Sequence, residues 1–193
     1  MTTYVVCDIE ADGPIPGPYS MISLGAVAVN SEGKELGDFE INFLPLENTK
    51  PHPATIKWFT THAPEALYYC KQNQVSPKEG MNKFGNWLLT LPKPRVMAAH
   101  PAPLDFMWIN WYMQTFLKDE LEEPSFTKPF FDNKGQGAFD IKSYASAILK
   151  KDFTDIHRDT YPKDLHDNTK HTHKAIDDAR EYAQLLIKLL NKK

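Results

Sequence analysis

Hydrophobic positions along this chain change their period after the first third, from the alternation of strands to the three-to-four spacing of helices. The apolar run Tyr4-Val5-Val6-Cys7 predicts a buried strand over residues 3–10, and residues 20–30 and 34–44 read as two more. Ser31-Glu32-Gly33 supplies a hairpin-like connection between the second and third. Beyond His52 the pattern becomes helical. Residues 54–61 and 63–69 read as short helices, the first with Pro53 at its start, and 77–91 carries Met81, Phe84, Trp87, Leu88 and Leu91 at helical spacing. Residues 95–99 form a short buried strand, Pro103 opens a helix over 104–117, and a strand at 138–141 leads into a helix at 142–150. The polar, His- and Asp-rich stretch 153–171 reads as a mobile loop, and 175–190 as a final helix. Three strands followed by alternating helices and strands predict a single α/β domain over residues 1–193, a mixed sheet with helices on its faces.

Composition narrows the class. A chain of 193 residues with 41% hydrophobic and 24% charged residues has the length and make-up of one globular domain. The N-terminus lacks the basic and apolar regions of a secretory signal. The longest apolar stretch, residues 22–29, is interrupted by Ser23 and Gly25 and is too short to span a bilayer, so no membrane partner is expected. Two cysteines, Cys7 and Cys70, make neither a disulfide framework nor a zinc knuckle. A reduced, cytoplasmic protein is the expectation.

The candidate chemistry lies in three stretches. Asp8-Ile9-Glu10 ends the first strand, where alternation puts both acids on one face roughly 7 Å apart. Two such acids repel unless a cation lies between them or one stays protonated, and a hard divalent cation is the simplest resolution. The plain structural alternative is that one ends the strand and the other caps the Asp12-Gly13-Pro14 turn. In the last helix, Ala175, Ala179, Tyr182, Leu186 and Leu189 form one apolar stripe. Asp178 falls roughly 70° from its centre and Asp177 roughly 170° away. Asp178 therefore sits at the buried border, where a carboxylate needs a partner, and Asp177 faces solvent. His173, five residues before Asp178 and with an ordinary pKa near ~6.5, is placed to serve as a general base. His157, His166 and His171 read as loop histidines, because their spacing is irregular and no cysteine accompanies them. Asp105 lies in the first turn of its helix and is unremarkable alone.

Together these residues resemble the DEDD superfamily of 3′–5′ exonucleases, in the branch with a histidine in the third motif. The first motif is Asp8-Ile9-Glu10, the second His100-Pro101-Ala102-Pro103-Leu104-Asp105, and the third His173 with Asp178-Ala179. Ala138-Phe139-Asp140-Ile141-Lys142 matches the strand-to-helix entry between the last two. Pro101 is a departure, since many relatives carry Asn after that histidine. The resemblance implies an RNase H-like fold with a mixed five-stranded sheet flanked by helices. It implies that Asp8, Glu10, Asp105 and Asp178 bind two Mg²⁺ or Mn²⁺ ions, that His173 is the general base, and that 5′-mononucleotides leave from a 3′ end. The chain's size suggests RNase T or oligoribonuclease, and by analogy a homodimer. Single-stranded nucleic acid is the expected partner, with RNA or short oligoribonucleotides favoured over DNA. The net charge of −3 disfavours capture of a long duplex, and the four proposed ligands outnumber that acidic excess. Trp58 and, second, Phe106 are the aromatic residues expected to stack terminal bases, each with a core role as its alternative. Competing readings are a catalytically inactive binding module and a zinc-binding protein built on the histidines from 157 to 173.

Overall fold

The computed structural model describes residues 1–117, 137–165 and 171–192. The sheet begins with β1 (Thr3–Ala11), β2 (Met21–Asn30) and β3 (Glu35–Asn42), an antiparallel meander. Helices α1 (Pro53–His62), α2 (Pro64–Cys70) and α3 (Pro77–Thr90) follow, then β4 (Arg95–Ala99) and α4 (Ala102–Phe116). The two-residue β5 (Phe139–Asp140) runs into α5 (Ile141–Leu149), and α6 (Ala175–Leu190) ends the chain. The strand order is β3-β2-β1-β4-β5, with β4 and β5 parallel to β1, so the mixed five-stranded sheet matches the expected class.

Alternation along β1 assigns its side chains to two cores. Val5, Cys7 and Ile9 face a large apolar layer with Phe84 and Leu88 of α3 and Trp108 and Tyr112 of α4. Val6 faces the opposite layer with Ile141 of α5 and Ala179, Tyr182 and Leu186 of α6. Asp8 and Glu10 share the parity of Val6, so both acids point to the α6 side of the sheet.

Gly25 makes that arrangement possible. It is the β2 partner of Asp8, and a Cβ there would lie 2.3 Å from the backbone of both Ala175 and Ile176. The start of α6 therefore rests directly on the sheet beside the acids. Gly25→Ala should lift α6, lower stability by at least about 1–3 kcal/mol and reduce activity more than tenfold. A thermal melt and a nuclease assay check this, and an unaltered melting temperature with full activity would refute the close-contact reading.

The stretch after α5 departs from expectation. Residues 153–165 are not a loose loop, because Ile156, Tyr161 and Leu165 are buried against α6 and two 3₁₀ turns (Phe153–Asp155 and Arg158–Thr160) order the path between them. Three apolar residues spaced four or five apart in a polar stretch give no helical or strand period, so the anchoring is invisible to pattern reading. His166 lies outside the described residues.

Candidate active site

The first of the three stretches, on β1, contributes Asp8 and Glu10, which meet Asp178 from the first turn of α6. One carboxylate oxygen of each lies within 4.8 Å of the others. Asp178 is only 3% exposed, as the helix-face argument predicts. Asp177 points outward, where Thr172 Oγ1 donates to its Oδ2 at 2.8 Å and Arg180 approaches at 3.9 Å. The turn-capping alternative for the β1 acids fails because Asp12 fills that role. Its Oδ1 accepts from the Ser20 N–H at 2.6 Å, and its carbonyl accepts from the His52 N–H at 2.7 Å.

Asp105 is buried in the first turn of α4, where its Oδ1 accepts from the Ile9 N–H at 3.1 Å. It stands outside the 4.8 Å group but interacts electrostatically with Asp8. Burial pushes its pKa up to about 7, against the lowering effect of the Ile9 N–H. Burial likewise drives Asp8 well above the usual carboxylate range, reinforced by Asp105, Glu10 and Asp178. Glu10 is raised for the same reason, with Asp178 the next contributor. Crowded oxygen donors whose charged forms are disfavoured in this way are suited to a hard divalent cation, whose positive charge would offset their repulsion.

His173 stands at the rim with φ of 55°, a left-handed conformation uncommon for a residue with a side chain. Burial, and then the neighbouring His171, lowers its pKa, so the ring is neutral and able to accept a proton at neutral pH. Its ring meets that of Trp58 at right angles with centroids 5.0 Å apart, which places Trp58 of α1 beside His173 with 41% of its surface exposed. His62 stacks on the same indole. Phe106 is half-buried and packs against the larger core.

Two histidines were misjudged or left without a role by sequence reading. His171 is not a bystander in the loop. Its Nδ1 lies 3.0 Å from Asp178 Oδ1 and 3.8 Å from Glu181 Oε2, and its ring is 4.1 Å from that of His173. Contact with Asp178, then Glu181, raises its pKa to about 9. Glu181 is itself held by Arg158 at 2.8 Å, so the anchored 153–165 segment supports the site. The spacing that singled out His173 carried no information about His171, two residues earlier on irregular backbone. His100 is structural: its ring lies flat on Tyr182 at 4.5 Å, its Nε2 is 2.6 Å from the Tyr161 hydroxyl, and burial lowers its pKa to about 4.

The exonuclease family RNase T matches residues 5–186 of the chain, a span that includes all three motifs. The chain belongs to this exonuclease family. A 3′–5′ DNA exonuclease of Escherichia coli, Cap18, is 29% identical over 185 residues, covering 94% of this chain and 88% of its own length. Among solved structures, the nuclease domain of 3′hExo, a DEDDh family member bound to rAMP, superposes with a TM-score of 0.69. It is 14% identical, with 98% of this chain and 90% of that one covered. E. coli exonuclease I in complex with a dT13 oligonucleotide gives a TM-score of 0.72 at 13% identity, covering all of this chain and 42% of its own. The fold is thus the RNase H-like one of DEDDh exonucleases, and the activity is that of a 3′–5′ exonuclease. The acidic group agrees with the divalent-metal dependence of such enzymes.

Proposed function

We propose that this exonuclease removes 5′-mononucleotides one at a time from single-stranded 3′ ends, using two Mg²⁺ or Mn²⁺ ions. The observation that carries the reading is the convergence of Asp8, Glu10 and Asp178 within 4.8 Å beside a neutral, rim-placed His173. Asp8, Glu10 and Asp178 would hold the cations, and Asp105, which accepts from the Ile9 N–H between the two β1 acids, would complete the set. Bound divalent cations supply Lewis acidity and neutralise charge that develops on the phosphate. His173 takes the proton from the attacking water, and its lowered pKa keeps the ring in the unprotonated form that can do so near neutrality. Glu10 lies next to the terminal 3′-hydroxyl, and Trp58 stacks on the terminal base.

DNA is the substrate proposed first, supported by the name of the relative that matches nearly the whole chain at 29% identity. RNA, favoured from chain size, is the second reading, supported by fold neighbours solved with rAMP and with a histone mRNA stem-loop. The deciding experiment incubates 5′-labelled single-stranded DNA, RNA and oligomers of about two to five nucleotides with Mg²⁺ or Mn²⁺. A one-nucleotide ladder that disappears in EDTA is expected. Internal cleavage, or cleavage unaffected by EDTA, would refute the proposal, and the ratio of rates between sugars assigns the substrate.

Trp58→Ala should raise KM fivefold to a hundredfold, the loss of about 1–3 kcal/mol of stacking, while Trp58→Phe retains most affinity. Equal KM values for Trp58→Ala and the parent would return Trp58 to a packing role.

A further inference from the structure

The carboxylate group is not the only set of metal donors here. His171, His173 and Asp178 each offer a ligand atom, all within 4.8 Å of one another. We propose that these three residues form a second, mutually exclusive metal site, a His₂Asp site for Zn²⁺ that shares Asp178 with the carboxylate centre and takes His173 out of catalysis when filled.

Donor type separates the two sites. Three clustered oxygens suit a hard cation, whereas two imidazoles with one carboxylate suit borderline-soft zinc, which commonly takes three protein ligands and a water. Bonds of about 2.0–2.1 Å in a tetrahedron put ligand atoms about 3.3 Å apart. The three ligand atoms, within 4.8 Å of one another, would draw together to that spacing around the ion. The position of His171 also suits a shared ion. Its Nδ1 is shut off from solvent and only 3.0 Å from Asp178 Oδ1, where a bound cation would take the place of the imidazole proton between them. Glu181, braced by Arg158, lies 3.8 Å from the same nitrogen and helps to hold the ring. His157, the other described histidine of the stretch, is exposed and engaged in its own turn, and is not part of the set.

Asp178 cannot serve both ions fully, and a His173 nitrogen that ligates zinc has no lone pair left for a proton. Zinc is therefore an inhibitor of the Mg²⁺-supported reaction.

The test measures Zn²⁺ binding to the full chain by competition with a chromophoric chelator, without nucleic acid and in excess Mg²⁺. One tight site per chain is expected, weakened at least about tenfold in His171→Ala and unchanged in His157→Ala. Co²⁺ as the probe should give the intense visible bands of tetrahedral coordination, lost in folded His171→Ala and His171→Phe alike. Zinc affinity that is indifferent to both His171 substitutions but lost in Glu10→Ala would overturn the proposal, placing zinc among the carboxylates. These binding readouts need no nuclease activity, so their failure is distinct from failure of the exonuclease reading. In the active enzyme, the zinc concentration for half-inhibition should rise at least about tenfold in His171→Ala.

Discussion

Asp178→Asn should lower kcat on single-stranded 3′ ends by at least about 10³-fold, whereas Asp177→Asn should stay within about twofold of the parent. The first substitution keeps the shape of a buried side chain, 3% exposed, and removes the charge that meets Asp8 and Glu10. If cations at that point supply several kcal/mol of transition-state stabilisation, losing one ligand costs about three powers of ten. The second substitution touches only a half-exposed group whose partners are Thr172 and Arg180, and Arg180 also pairs with Asp38 of β3. Exposed pairs of that kind contribute about 0–1 kcal/mol to stability and nothing to the chemistry. Circular dichroism establishes that both variants fold. A second readout is independent of turnover: Mg²⁺ should raise the melting temperature of Asp177→Asn as it does for the parent, and of Asp178→Asn far less. An active Asp178→Asn beside an inactive Asp177→Asn would reverse the assignment of helix faces.

Stripped of metal in EDTA, the protein should lose stability as pH rises from 6.5 to 9, and Mg²⁺ should cancel much of that loss. Asp8, Glu10 and Asp105 have folded-state pKa values above their unfolded ones, because burial disfavours three neighbouring charges. Such groups contribute stability that is fully present below about pH 4 and lost as pH climbs through the folded value, about 7 for Asp105. His171, raised to about 9, acts in the same direction: its contribution is present below about 6.5 and lost on the way to 9. His100 acts in the opposite direction. Its pKa is lowered to about 4, so its contribution is lost as pH falls from about 6.5, and above that pH it is neutral in both states. Only losses remain between 6.5 and 9. Several kcal/mol of linkage corresponds to a fall of order 10 °C in melting temperature for a domain of this size. Divalent cations bind the ionised acids, so the metal-bound protein should show a flatter profile. A melting temperature in EDTA that is level or rising over this range would contradict the burial of the acids.

The importance of Asp8, Glu10 and Asp178 was visible before any fold was known, and the reason is local periodicity. A strand repeats every two residues and a helix every 3.6, so short patterns placed Asp8 and Glu10 on one face and separated Asp178 from Asp177. The strands and helices themselves were legible for the same reason, with ends shifted by one or two residues. His171 was not, because it lies on irregular backbone where spacing says nothing about direction, and its role depends on Asp178 and Glu181 from the next helix. Nor was the anchoring of residues 153–165, whose buried side chains follow no period.

By itself, then, the sequence determined the elements, the faces they bury and the acids those faces carry, since each follows from interactions among near neighbours. Only the tertiary structure decided how closely the acids meet. Gly25, one unexceptional residue in an apolar strand, lets the start of α6 rest on the sheet opposite Asp8. That approach brings a carboxylate from the last helix within reach of two on the first strand, and no local pattern encodes it, because it depends on backbone atoms some 150 residues apart meeting without a Cβ between them.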